Sequence, residues 1–159
     1  MVFRRFVGAS RTVVSGAVEI AIELDSRSVE AEHLLLAVAR GPASPASQAL
    51  AGSGLDYRAV RAALEDEFEG TLAAAGVALG DFDLRATPDR ARTPRWGASA
   101  TVALKRANEI ADVRRDRRIL PGHIVLGVLK APAGTVPRAL ERAGIDRTDL
   151  GERVAAALP

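Results

Sequence analysis

The sequence predicts an all-α domain made of two four-helix repeats, related by a pseudo-twofold axis and packed as one bundle. Three observations carry that expectation. The first is that Ala31-Glu32-His33-Leu34-Leu35-Leu36-Ala37-Val38 returns ninety positions later as Pro121-Gly122-His123-Ile124-Val125-Leu126-Gly127-Val128. At this offset residues 3–64 align with 93–154 without a gap, and about fifteen of roughly sixty pairs are identical. Among them are Arg5/Arg95, Ala17/Ala107, Ile20/Ile110, Leu36/Leu126 and Leu50/Leu140, while Phe6/Trp96, Leu34/Ile124 and Leu55/Ile145 keep their character. The second is helical spacing of apolar residues in both copies. The third is matched punctuation: Gly144 repeats the helix stop of Gly54, and Asp146 repeats the helix cap of Asp56.

In the first copy, Val13, Val14, Ala17, Ile20, Ala21 and Leu24 form one stripe on a helix over about residues 9–24. Asp25-Ser26-Arg27-Ser28 is a polar break. A second helix over 30–39 is apolar almost all round after His33, as a central buried helix is, and Gly41-Pro42 stops it. Ser44 followed by Pro45 reads as an N-cap with proline at the first helical position, opening a short helix through Leu50. Asp56 caps a fourth helix, expected to turn Val60, Ala63, Leu64 and Phe68 inward.

Residues from about 69 to 92 belong to neither copy. The stretch 71–79 is rich in Ala and Gly, a composition compatible with a short extra helix, and 81–92 reads as a surface linker. The second copy then repeats the programme with helices over 98–114, 121–129, 136–142 and 146–158. Residues 1–159 are therefore expected to form a single domain: repeat one over about 3–68, a connection over 69–92 and repeat two over 93–158.

Composition agrees. A chain of 159 residues with 48% hydrophobic and 26% charged residues is long enough for one real core and is not disordered. Aromatics make up only 4%, so the core is mostly Ala, Val and Leu, which suits closely packed helices. There is no cysteine, which excludes disulfides and thiolate metal sites. The N-terminus lacks the apolar run of a signal peptide, no segment is long enough to span a bilayer, and the default expectation is the cytoplasm. The net charge of +2 is slight, and the pI of 9.6 reflects arginines close to balance with acids.

Phe3-Arg4-Arg5-Phe6 at the start, Ala31-Glu32-His33-Leu34-Leu35-Leu36, Leu50-x-x-x-Gly54, Thr93-Pro94-Arg95 and Gly122-His123-Ile124-Val125-Leu126 together resemble the N-terminal domain of Clp-type AAA+ unfoldases. The likeness is to the ClpC branch of Gram-positive bacteria and actinobacteria, and it covers both copies. No G-x-x-x-x-G-K-[ST] phosphate loop occurs, so the chain is not itself the ATPase. The start at Met1 and the departures from the ClpC pattern favour a stand-alone actinobacterial paralogue over an N-domain cut from a longer unfoldase.

The resemblance implies site residues. In ClpC-like domains the residue matching Glu32 helps to receive the guanidinium of phosphoarginine, and a carboxylate suits a planar fork of donors. A structural role at the positive end of a helix explains Glu32 equally well. The second copy has Gly122 in its place, so that site is expected to be lost. The N-terminal Phe of the family lines a groove that receives adaptors and cyclic-peptide antibiotics, which makes Phe3 and Phe6 the groove candidates, with core packing as the alternative. Arg92 stands where the family has an aromatic before the Thr93-Pro94-Arg95 motif, so these second-repeat equivalents are doubtful.

His33 and His123 invite a metal or acid–base reading, yet they are equivalent positions without other ligands at ligand spacing. Structural, hydrogen-bonded histidines are the expectation. No nucleophile–base arrangement or paired carboxylates suggest catalysis, and no cofactor or metal is expected. The run Arg114-Arg115-Asp116-Arg117-Arg118 lacks aromatic interleaving and reads as a solvated loop or a patch for an acidic protein. The sequence thus points to a non-enzymatic module of the Clp proteolytic system that binds substrates, adaptors or Clp components, delivering ligands to an unfoldase or sequestering them from it. A small basic nucleic-acid-associated regulator is the reading from another class.

Overall fold

The computed structural model describes residues 2–6, 8–77 and 92–159, with side chains from residue 4 onward. The expected linker over 81–92 lies outside them apart from Arg92. A 3-10 turn, Val2–Arg5, leads into α1 (Ala9–Glu23), a two-residue strand β1 (Ser28–Val29), α2 (Ala31–Arg40), α3 (Pro45–Gly52) and α4 (Tyr57–Ala74). The second half follows with β2 (Arg95–Trp96), α5 (Ala98–Arg114), α6 (Pro121–Leu129), α7 (Thr135–Arg142) and α8 (Arg147–Ala156). The helix order is the same in both halves, as the repeat predicts.

The two central helices sit back to back. Leu34, Leu36, Ile124 and Val125 are wholly buried, and Leu35 is 1% exposed. Each such side chain contributes roughly 1.5–3 kcal/mol of transfer free energy, so the α2–α6 contact is the centre of the core. Small residues on α5 (Ala100, Ala103, Ala107 and Ala111) let α6 approach so closely that a Cβ on Gly127 would lie 2.2 Å from the Ala103 carbonyl oxygen.

The caps fall where the sequence places them. Ser44 Oγ accepts the Ser47 N–H at 3.1 Å, Asp56 Oδ1 the Ala59 N–H at 2.8 Å and Asp146 Oδ1 the Thr148 N–H at 2.8 Å. Gly54 and Gly144 have φ of +79° and +72°, the left-handed turn that lets Leu55 N–H reach Leu50 O and Ile145 N–H reach Leu140 O.

Three features depart from expectation. The first is a short parallel pairing: Ser28 aligns with Arg95 and Val29 with Trp96, and Ile119 bridges Phe6 in the same parallel sense. The two pairings are related by the ninety-residue offset, so each repeat's lead-in is held by the other repeat. The carbonyls of Arg27, Val29 and Arg5 accept the N–H groups of Arg95, Gly97 and Ile119 at 3.1, 2.9 and 2.9 Å.

The second departure is on α4. Phe68 is 54% exposed rather than inward, while Glu67 is 4% exposed. Val60, Leu64 and Glu67 form the inward row, and Glu67 tolerates burial because Arg138 Nε reaches it at 2.8 Å and Thr71 Oγ1 at 2.6 Å. The third is length. α4 continues through residues 69–74, which the sequence reading gave to the connection and to a separate short helix. Gly70 lies within it, and the Arg142 guanidinium packs where a Cβ there would stand, 2.5 Å from Cζ.

Candidate ligand site

The first turns of α2 and α6 are built alike. His33 Nδ1 accepts the Glu30 N–H at 2.8 Å, and His123 Nδ1 accepts the Leu120 N–H at 2.9 Å. Each ring therefore carries its proton on Nε2, and that of His123 meets Asp116 Oδ2 at 2.8 Å. His33 is 4% exposed and His123 fully buried, so burial pushes both pKa values below the usual imidazole range. The charges of Glu30 and Asp116 act against that shift without reversing it. The histidines are neutral, hydrogen-bonded helix caps, as expected of structural residues. Among the described residues no group of three or more His, Cys, Asp or Glu is placed to hold a metal ion.

Glu32 stands in the first turn of α2, partly exposed, and makes no ion pair among the described residues. Burial pushes its carboxyl above the usual range, its own backbone N–H pulls the other way, and the nearby carboxylates of Glu30 and Glu67 push it up further. Glu30 is settled differently. Burial raises it, but hydrogen bonds from Ser99 and from Ser28 Oγ (2.7 Å) bring it below the ordinary value. Glu67 is likewise raised by burial, then held below the usual range by Thr71, Arg138 and Arg142. Arg138 and Arg142 reach across from α7, Arg142 Nε meeting Asp66 at 3.1 Å, and both remain about half exposed. The arrangement is one carboxylate without a cation, close to Glu67, while two arginines of the other repeat pair with Glu67 and Asp66. It suits a ligand with a cationic fork and a neighbouring anion.

At the position of Glu32 the second repeat has Gly122, which carries no side chain. A Cβ on Gly122 would lie 2.7 Å from Cδ2 of Leu158, just past the end of α8, so Leu158 packs against the position where Glu32 carries its side chain. Arg92, Thr93 and Arg95 are exposed on the segment that pairs with β1. They are not gathered with Gly122, which is buried at the start of α6.

Of the groove candidates, Phe6 is 3% exposed and belongs to the core, and Phe3 lies in the opening 3-10 turn. Burial thus removes Phe6 as a groove wall. Its repeat partner Trp96 is 43% exposed, an aromatic surface that attention to the Thr93-Pro94-Arg95 motif passes over. The Phe6/Trp96 pairing in the repeat is the signal that finds it. Glu67, Arg138, Arg142 and Ser99 were also missed, because each acts across repeats and no local pattern marks them.

The arginine run is partly consumed by the fold. Arg114 pairs with Asp116 at 2.9 Å, and Arg5 bonds Asn108 Oδ1 at 2.9 Å and also holds Asp112 and the Asp116 carbonyl. Arg117 and Arg118 remain exposed in the loop. No helix among the described residues is long and apolar enough to cross a membrane.

Comparison with known proteins agrees with this architecture. No curated protein matches the chain. Among solved structures, the N-terminal domain of the caseinolytic protease associated chaperone ClpD from Arabidopsis thaliana is similar, with a TM-score of 0.69 and 22% identity over 98% of this chain and 96% of that one. The Hsp104 N-terminal domain from Candida albicans matches with a TM-score of 0.63 and 16% identity, over 94% of this chain and 88% of that one. A chain from a malarial protein secretion system matches with a TM-score of 0.67 and 12% identity, over 96% of this chain and 93% of that one. These likenesses concern the fold. The profile of the Clp repeat (R) N-terminal domain matches residues 5–92 and 96–159, nearly the whole sequence in two parts. The chain belongs to the Clp repeat (R) N-terminal domain family.

Proposed function

We propose that this chain is a non-enzymatic protein-binding module of a Clp proteolytic system, and that its first repeat reads a guanidinium at Glu32, with phosphoarginine the leading ligand. The observation that carries the reading is the carboxylate of Glu32, which no cation neutralises among the described residues and whose charged form is opposed first by burial and then by the neighbouring carboxylates of Glu30 and Glu67. An arriving guanidinium relieves that repulsion and offers a planar pair of donors. Arg138 and Arg142, half exposed at the edge of the same cluster, supply positive charge for the phosphoryl group. The second repeat, with Gly122 beneath Leu158, takes no part in this recognition. Exposed Trp96 is the natural wall for adaptors or cyclic peptides. The setting this implies is the cytoplasmic Clp machinery, and the purified chain is expected to turn over neither ATP nor peptide bonds.

Titration calorimetry with a phosphoarginine peptide tests the reading on the unaltered chain and on Glu32→Ala. One site per chain is expected. Each charge-assisted hydrogen bond is worth roughly 1.5–3 kcal/mol, so Glu32→Ala should weaken binding about ten-fold or more. Two equal sites, or binding indifferent to Glu32→Ala, rejects the assignment.

A further inference from the structure

Phe68 is 54% exposed within α4, and its place in the repeat puts it beside Glu32. At the ninety-residue offset Phe68 corresponds to Leu158 and Leu64 to Val154. Those two side chains are what a Cβ at Gly122 would meet, 2.7 Å from Leu158 Cδ2 and 3.7 Å from Val154 Cγ1. Leu158 still follows the path of α8, its N–H bonded to Ala155 O at 3.2 Å. The same triangle therefore recurs in the first repeat as Glu32, Leu64 and Phe68. After burial, the charges of Glu30 and of Glu67, the residue next to Phe68, push the Glu32 carboxyl up, so this turn of α4 faces Glu32. We infer that Phe68 is the aromatic surface on which the guanidinium held by Glu32 stacks. The inference rests on the reading of Glu32 as a guanidinium receiver and adds the residue that covers the ligand's plane.

The difference between the repeats accounts for the exposed ring. Leu158 settles on the bare backbone of Gly122, whereas Glu32 carries a side chain into the corresponding space. Phe68 is thereby held off α2 with much of its apolar area in water, an unfavourable place for it while no ligand is bound. Helix α4 runs on to Ala74, so Phe68 sits on a rigid element and not on a frayed end. Among the described residues no cation lies over this ring; the one such pair is Arg40 over Tyr57, 5.9 Å from the centroid.

The chemistry is complementary. A guanidinium is a planar cation, with its donors around the edge and two weakly hydrated faces. A carboxylate engages the edge and an aromatic ring engages a face. Glu32 and Phe68 thus use different parts of the same group.

Calorimetry and NMR on the full chain with a phosphoarginine peptide test the inference. Phe68→Leu installs the second repeat's residue at an exposed position and is expected to weaken binding about three- to ten-fold. Phe68→Trp keeps a ring there and should retain the affinity. On the unaltered chain the peptide's arginine Cδ protons should move upfield on binding, shielded by the ring beside them, and Phe68→Leu should abolish that shift. Binding that needs Glu32 but is indifferent to Phe68→Leu overturns this inference and leaves the guanidinium reading standing. So does a loss that Phe68→Trp shares, or an absent upfield shift in the unaltered chain. Binding indifferent to Glu32→Ala, or no binding at all, overturns both.

Discussion

The hydroxyl of Ser99, on α5, accepts the N–H of Ala31 at 2.9 Å and so caps α2 from the opposite repeat. The same hydroxyl donates to Glu30. The twofold-related pair is Ala9 and Pro121, which has neither the hydroxyl nor the N–H. Donor and acceptor are present together in one half and absent together in the other. The buried start of each central helix is thereby left with nothing unsatisfied at this position.

This pairing predicts a coupling. Ser99→Ala should destabilise the chain by about 1–2 kcal/mol, the usual cost of a lost N-cap partner. Adding Ala31→Pro should recover part of that loss, because proline is well suited to the first helical position and has no N–H to satisfy. Denaturant unfolding of the two single variants and the double variant measures the coupling; strict additivity would contradict the account.

Glu32 should be held at some expense to stability. Its folded pKa is raised above the ordinary 4.5. The folded state thus binds more protons than the unfolded one above that pH, and stability falls as pH rises toward the folded pKa. Glu32→Gln is therefore expected to be more stable than the unaltered chain at pH 7 and to match it below about pH 4.5. Equilibrium unfolding at both pH values checks the sign.

The histidine caps predict the opposite slope. The folded pKa of His33 lies below the ordinary 6.5, so the unfolded state takes up protons first and stability is lost as pH falls below that value. Glutamine at the same position keeps an acceptor for the Glu30 N–H. His33→Gln should cost little at pH 7 and flatten the acid slope below about pH 6.5, as followed by denaturation midpoints.

Building a second guanidinium site requires two changes. Gly122→Glu alone drives the new side chain into Leu158, 2.7 Å from its first carbon. Gly122→Glu with Leu158→Ala opens the space, and calorimetry with the phosphoarginine peptide should then register a second, weaker site that the single variant lacks.

Gly127 is the sharpest packing test. A methyl there meets backbone, the Ala103 carbonyl oxygen at 2.2 Å and the Ala107 nitrogen at 3.0 Å, so α5 and α6 must separate. Gly127→Ala is expected to cost about 1–3 kcal/mol or more, the range for overpacking a well-filled core. Ala37, its repeat partner, already carries that methyl and packs against Gly16, where an added Cβ would sit 3.5 Å away. Thermal melts of Gly127→Ala and of Gly16→Ala should therefore differ strongly.

Local signals made the helices legible. The paired glycines with positive φ, the Asp and Ser caps and the all-round apolar runs of α2 and α6 each act within a few residues of chain. What escaped was set by contacts between residues far apart. Nothing near Glu67 announces that Arg138, seventy-one positions on, will let it be buried while Phe68 turns outward. The pairing of Val29 with Trp96 is equally silent, since two residues carry no strand periodicity. The candidate site divides the same way. Glu32 was marked by the resemblance of its motif to the Clp family, whereas the arginines on α7 depend on how the halves pack.

The reciprocal pairing of Val29 with Trp96 and of Phe6 with Ile119 has the connectivity of a swapped dimer carried on one chain. A homodimer of single repeats exchanging their lead-ins would present identical faces at both ends of its axis, because each substitution would appear twice. Joined in one polypeptide, the two ends are free to mutate separately while the mutual clasp still holds them in register. A carboxylate at Glu32 and bare backbone at Gly122 are the visible result: symmetry of scaffold retained, symmetry of surface given up.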